Sequence, residues 1–165
     1  MQCGVAEHRD RKRGELSEIQ DIMVRRDETA ITAPSDLKGR KVCTVAGSTS
    51  AQSLDPSVIK VEANSWANCL SQLDTNAVDA VTNDDLLLAG LATAQFKNKF
   101  KLINKPSTEW RYGIGLKKGD TRCTAVNTAI SKMYLDGTAK TLFEKYFGGT
   151  GLTFKTSPAP QPEGC

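Results

Sequence analysis

Residues 40–50 read RKVCTVAGSTS, and residues 77–85 read AVDAVTNDD. In the first stretch Val42, Cys43, Thr44 and Val45 form a β-branched, apolar run of the kind that makes a buried strand. It stops at Gly47, and Ser48, Thr49 and Ser50 follow. These residue types cap a helix start, because a side-chain oxygen accepts from the exposed backbone N–H groups. In the second stretch Ala77 to Val81 reads as another buried strand. It runs into a loop, Thr82-Asn83-Asp84-Asp85, whose acids favour the positive end of a helix over Leu86–Ala94.

Outward from these two stretches the alternation continues. Upstream, Asp21–Arg26 is a short apolar strand, and Pro34–Gly39 is a turn anchored by Leu37. Val58–Val61 is a strand, and Trp66, Cys69, Leu70 and Leu73 share one face of an amphipathic helix. Downstream, Phe100–Ile103 and Tyr112–Leu116 are strands. Val126, Ile130, Met133 and Tyr134 share a helix face that Gly137 ends. Ala139, Leu142, Phe143, Tyr146 and Phe147 form a second short helix. Strands alternating with helices predict an α/β lobe with a mostly parallel central sheet flanked by helices. The ends differ from this middle. Residues 1–20 are charged and lack periodicity, so they read as a disordered or partly helical lead-in. Ser157–Cys165, SPAPQPEGC, is a proline-rich tail.

Composition narrows the function. The 165 residues carry 22 Lys and Arg against 19 Asp and Glu, a net charge of +3 that is too small and scattered to address nucleic acid. Aromatic residues at 6% argue against a base-stacking surface. The longest apolar cluster, Leu86–Ala94, is about half of what a membrane span requires. The start, MQCGVAEHRDRKRGEL, has no apolar core and is not an export signal. Five cysteines nevertheless suit an exported chain.

Catalytic constellations are scarce. His8, the one histidine, lies in the lead-in, so no triad or metal centre builds on it. The Arg25-Arg26 and Lys117-Lys118 pairs read as solvated strand ends, and no phosphate-cradling G-x-x-x-x-G-K-[ST] run occurs. No cofactor is expected. In parallel α/β sheets ligands collect beyond the carboxyl ends of the strands. Gly47 to Ser50 there suits a carboxylate or phosphate, and the acidic loop suits an ammonium group. Side by side they would hold the two poles of an amino acid. Each is equally explained as a plain helix cap.

From Asp21 to Gly151 the chain resembles the type II periplasmic solute-binding proteins for polar amino acids, in particular the glutamate-binding lipoproteins of ABC importers. DLKGRKVCTVAGSTSAQSL (Asp36–Leu54), VDAVTNDDLLLAGL (Val78–Leu91), RYGIGLKKGD (Arg111–Asp120) and LDGTAKTLFEKYFGG (Leu135–Gly149) carry the resemblance. It implies a two-lobed clamp that hinges shut on one amino acid. The loop Gly47, Ser48, Thr49 would hold the ligand carboxylate, and Asp84 the α-ammonium. Asp79 matches a structural position.

On this reading residues 1–20 are an unmatched lead-in and 21–120 the second lobe with its hinge strands. Residues 121–151 are helices that dock on a first lobe, and 152–165 are the tail. The first lobe would precede residue 21, so the expectation is a truncated binding component with an ABC importer permease as partner. It would work on the extracellular face or in the periplasm, or stay cytoplasmic if this is the whole product. Val126, Ile130, Leu142, Phe143 and Phe147 would then lack their partner, which predicts repacking, self-association or aggregation. Cys43–Cys69 is the expected disulfide and Cys123–Cys165 a second, leaving Cys3 free. The alternatives are a ligand-sensing module of a receptor-like protein and a non-functional fragment. An enzyme of the dehydratase kind would need an acid–base pair, and none is nameable beyond Asp84.

Overall fold

The computed structural model describes residues 17–94, 98–105, 108–111, 114, 116–117, 120–148, 150, 152 and 154. The strands are β1 (Ser17–Arg25), β2 (Lys41–Val45), β3 (Ile59–Ala63), β4 (Ala80–Asp84), β5 (Phe100–Leu102) and β6 (Thr108–Arg111). The helices are α1 (Thr49–Gln52), α2 (Trp66–Asp74), α3 (Asp85–Ala94), α4 (Cys123–Leu135) and α5 (Thr138–Phe147), with a 3-10 turn at Pro34–Leu37. Two compact units divide the chain. One comprises Ile19–Glu109 with Gly149–Leu152, and the other Met1–Glu18, Trp110–Gly148 and Thr153–Cys165.

The sheet runs β3-β2-β4-β1-β5, and β6 also pairs with β1. β2 lies parallel to β3 and to β4, whereas β1 is antiparallel to both β4 and β5. The α/β class is as expected, but the sheet is mixed rather than mostly parallel. The parallel part is the β3-β2-β4 block, whose strands are joined through α1 and α2. β1 comes from outside that block and enters between β4 and β5 in the opposite sense.

Pleating explains the core. Successive side chains of a strand point to opposite faces, so Met23, Cys43 and Val81 turn to one side, where they meet Cys69, Leu70 and Leu73 of α2, with Leu88 and Phe100 in the same cluster. Their sequence neighbours Ile22, Val42 and Ala80 turn to the other, with Val24, Ile31 and Leu37. Each large apolar side chain so buried stabilises the fold by roughly 1.5 to 3 kcal/mol. The α2 face read from the sequence is therefore the one that packs. Ser65 caps its start, its oxygen accepting from the Asn68 N–H at 3.2 Å. The Arg25 guanidinium donates to the carbonyls of Leu73 (3.3 Å) and Val78 (3.0 Å), placing positive charge at the negative end of the helix.

Three element boundaries differ from the sequence reading. β1 begins at Ser17, inside the expected lead-in. β4 continues through Thr82, Asn83 and Asp84, so α3 follows it with no intervening loop. The cause is β1, which pairs with that extension through Gln20↔Asp84, Asp21↔Asn83 and Ile22↔Thr82. β6 ends at Arg111, before the expected Tyr112–Leu116 strand, most of which lies outside the described residues.

In the second unit, α4 ends at Leu135 and Gly137 turns the chain into α5 with φ +80°. Tyr134 and Phe143 each meet Phe154, at ring-centroid distances of 5.5 and 5.3 Å, and Phe143 meets Phe147 at 5.2 Å. Of the apolar residues expected to lack a partner, Val126, Ile130, Phe143 and Phe147 are half-buried and Leu142 is exposed.

Candidate ligand-binding site

β2 delivers the chain to Ala46 and Gly47. Gly47 has φ +76°, a left-handed turn that a residue with a Cβ enters at a cost. The turn sends Ser48 back over the strand end, where its N–H donates to the Val45 carbonyl at 3.1 Å. Its side chain is the N-cap of α1, accepting from the Ala51 N–H at 3.2 Å, and it shares a hydrogen with Thr44 Oγ1 at 3.1 Å. The capping role allowed by the sequence therefore belongs to Ser48. Thr49 is exposed, and its hydroxyl makes no hydrogen bond among the described residues. Ser50 points inward and is buried.

β4 delivers Thr82, Asn83 and Asp84. The two consecutive acids diverge in role. Asp85 is buried, and its Oδ1 accepts from the Leu86 N–H at 2.7 Å, at the start of α3. Asp84 is the half-buried final residue of the strand. Asp79, at the other end of the same segment, accepts from the Lys41 N–H at 2.8 Å and lies 4.0 Å from the Arg40 guanidinium. It ties two strand starts together, the structural part expected for it.

Because β2 and β4 are parallel neighbours, Val42 opposite Ala80 and Cys43 opposite Val81, their carboxyl ends emerge side by side. The Ser50 hydroxyl donates to Asn83 Oδ1 across that junction at 3.0 Å. Residues directly adjacent to Thr49 and Asp84 thus touch, and Gly47, Ser48, Thr49 and Asp84 lie at or just beyond the carboxyl ends of these two interior strands.

Sequence reasoning missed the polar layer beside these strand ends. Ser53 Oγ donates to Gln20 Oε1 (2.7 Å), Gln20 Nε2 to Thr82 Oγ1 (3.1 Å), and Thr82 Oγ1 to the Asp21 carbonyl (2.8 Å). The Asp21 carboxylate accepts from the Ile22 and Asn104 N–H groups at 2.8 and 3.0 Å. Burial raises its pKa above the ordinary value of 3.8, against those backbone donors. The one local signal was a Gln-Asp pair opening an apolar run, at the boundary between the expected lead-in, which ends at Gln20, and the expected Asp21–Arg26 strand.

Cys43 and Cys69 form the expected disulfide, joining β2 to α2 with both residues fully buried. Cys123 is also disulfide-bonded, while Cys3 and Cys165 lie outside the described residues. No cluster of His, Cys, Asp and Glu among the described residues could hold a metal, and no described helix is long and apolar enough to cross a membrane.

No protein-family model matches the chain. Several curated amino-acid-binding proteins do. The glutamate-binding protein GluB of Corynebacterium glutamicum is 36% identical over 139 residues, covering 78% of this chain and 47% of GluB. The ABC transporter glutamine-binding protein GlnH of Bacillus subtilis is 31% identical over 131 residues, covering 77% and 47%. Its homologues are amino-acid-binding proteins. The chain spans about half the length of these solute-binding relatives. Among solved structures, the GluR0 ligand-binding core from Nostoc punctiforme in complex with L-glutamate superposes with a TM-score of 0.67 at 29% identity, over 80% of this chain and 62% of that one. The fold is that of type II periplasmic-binding-protein domains.

Proposed function

We propose that this chain is an amino-acid-binding component, or part of one, of an ABC importer, with glutamate or a similar polar amino acid as ligand and the importer permease as partner. It has no catalytic role. Thr49 and the first N–H groups of α1, which have no acceptor within the helix, take the ligand carboxylate, assisted by the turn at Gly47. Ser48 shapes that turn through its cap and offers the ligand less. Asp84 takes the α-ammonium. The observation that carries this reading is the Ser50–Asn83 bond, which sets the hydroxyl-rich strand end directly against the acidic one. The names of GluB and GlnH support the ligand class. A buried disulfide supports an extracytoplasmic, oxidising location. A ligand-sensing module is the second reading, favoured by the likeness to the GluR0 core.

Isothermal titration of the full chain with glutamate, glutamine, arginine and cystine tests this. One of them should bind. Asp84→Asn should weaken binding at least about tenfold, since a charged hydrogen bond is worth about 1.5 to 3 kcal/mol, and Thr49→Ala should weaken it less. Binding of none of them, or an Asp84→Asn variant that binds as tightly as the parent, overturns the proposal.

A further inference from the structure

α1 is only four residues long, Thr49–Gln52, and an isolated helix of that length does not hold itself together in water. Its own backbone bonds are few. Ala51 and Gln52 donate to the Ser48 carbonyl at 3.1 and 3.3 Å, and Ser53 to the Thr49 carbonyl at 3.1 Å. What fixes the segment in space must come from elsewhere in the fold; of its two buried residues, Ser50 and Ala51, Ser50 at 4% exposure is the one with a polar side chain. That hydroxyl meets one partner, Asn83 Oδ1 on β4. A hydroxyl both donates and accepts, so the bond survives with the amide in either orientation.

Asn83 is itself 5% exposed, and its Nδ2 is buried without a hydrogen-bond partner among the described residues. An unsatisfied buried donor destabilises a fold. On stability alone an apolar residue would serve this position better, since Val81, two residues earlier on the same face of β4, packs in the hydrophobic cluster. The amide at position 83 is therefore held for its bond to Ser50.

We infer that Asn83 is a positioning residue: through Ser50 it locks the Gly47–Gln52 segment against the end of β4 and couples the placement of Thr49 to that of Asp84. Its importance for ligand capture rests on the amino-acid-binding reading above; the lock itself does not.

Amide hydrogen exchange by NMR on the full chain separates the two. Asn83→Ala should speed exchange about tenfold at the Ala51 and Gln52 N–H groups and leave those of Cys43 and Val81, in the strands, unchanged. Asn83→Asp, which can still accept from Ser50, should restore protection. Ser50→Ala should reproduce the Asn83→Ala pattern, and the double variant should add little to either. Unchanged exchange at Ala51 and Gln52 in Asn83→Ala, or equal acceleration at Cys43 and Val81, overturns the inference. A glutamate titration of the same samples completes the test. If the parent chain binds and Asn83→Ala binds equally well, the coupling is refuted. If the parent binds no amino acid while the exchange pattern holds, the transport reading falls and the lock stands.

Discussion

Gly47 shows what a single residue contributes. Its φ of +76° is a region that L side chains avoid because Cβ crowds the neighbouring carbonyl. A Cβ built there meets no atom within 4 Å, so the penalty for any substitution is one of backbone conformation alone. Gly47→Ala should therefore lower stability by about 1 kcal/mol, and Gly47→Asn by less, because asparagine tolerates the left-handed region. The chain itself places asparagine there at positions 76, 98 and 104. Urea denaturation of the two variants gives the comparison, and a loss well above 2 kcal/mol in Gly47→Ala would mean a steric cause. At this scale the sequence was legible. The turn at Gly47 and a cap among Ser48, Thr49 and Ser50 follow from residue type and local spacing, and the structural part of Asp79 from the family resemblance. The division of labour between Asp84 and Asp85 did not, because it depends on where β4 ends.

Between elements, the disulfide is the clearest tie. It joins the centre of the parallel block to the helix that covers it, and both sulfurs lie within the same apolar cluster. With a sequence separation of 26 between the two cysteines, closing that loop in the unfolded chain corresponds to about 3.5 kcal/mol in the chain-entropy picture. The paired Cys43→Ala, Cys69→Ala variant should lose about 2 to 4 kcal/mol in guanidinium denaturation. A loss below about 1 kcal/mol would mean that packing alone holds α2 in place. The elements β2 and α2 were readable because each carries a dense periodic signal. The extension of β4 was not. Asn83 and Asp84 are turn-forming residues by local preference, and the antiparallel pairing with β1 makes them strand. The same pairing, seen from the other side, makes Gln20 strand rather than lead-in.

For the molecule as a whole, carboxylates pull stability in opposite directions with pH. Asp120 is held down to about 2, chiefly by the Arg122 side chain, and hydrogen bonds from Thr32, Ser57 and Thr138 lower Asp36, Asp55 and Asp136. A carboxyl whose pKa is lowered in the fold stabilises it above its unfolded value near 3.8, and that contribution disappears as the pH falls through the folded value. Asp21 has the reverse sign. Its folded pKa is raised, so its contribution is complete below 3.8 and is lost as the pH rises through the folded value. Replacing it by asparagine removes that dependence, while the single remaining oxygen forfeits one backbone bond at every pH. The stability of the parent relative to Asp21→Asn should accordingly increase on going from pH 7 to pH 4, measured by denaturant titration at several pH values. A difference that stays constant across that range would contradict a raised Asp21.

The amino-acid sequence by itself determined the α/β class, the positions of β2, α2 and α3, the cysteine bridge between them, and the two chemically opposite stretches around Thr49 and Asp84. Each of these rests on local causes: periodicity, capping residues, or a family-like run of side chains. Only the tertiary structure decided that the sheet is mixed, that β1 starts earlier than its expected Asp21–Arg26 span and runs antiparallel to its neighbours, and that Ser50 reaches Asn83. The physical reason is that a strand's length and partners are set by hydrogen bonds to chain tens of residues away, here from Gln20 to Asp84 and from Ser50 to Asn83. No local pattern records which distant segment will supply them.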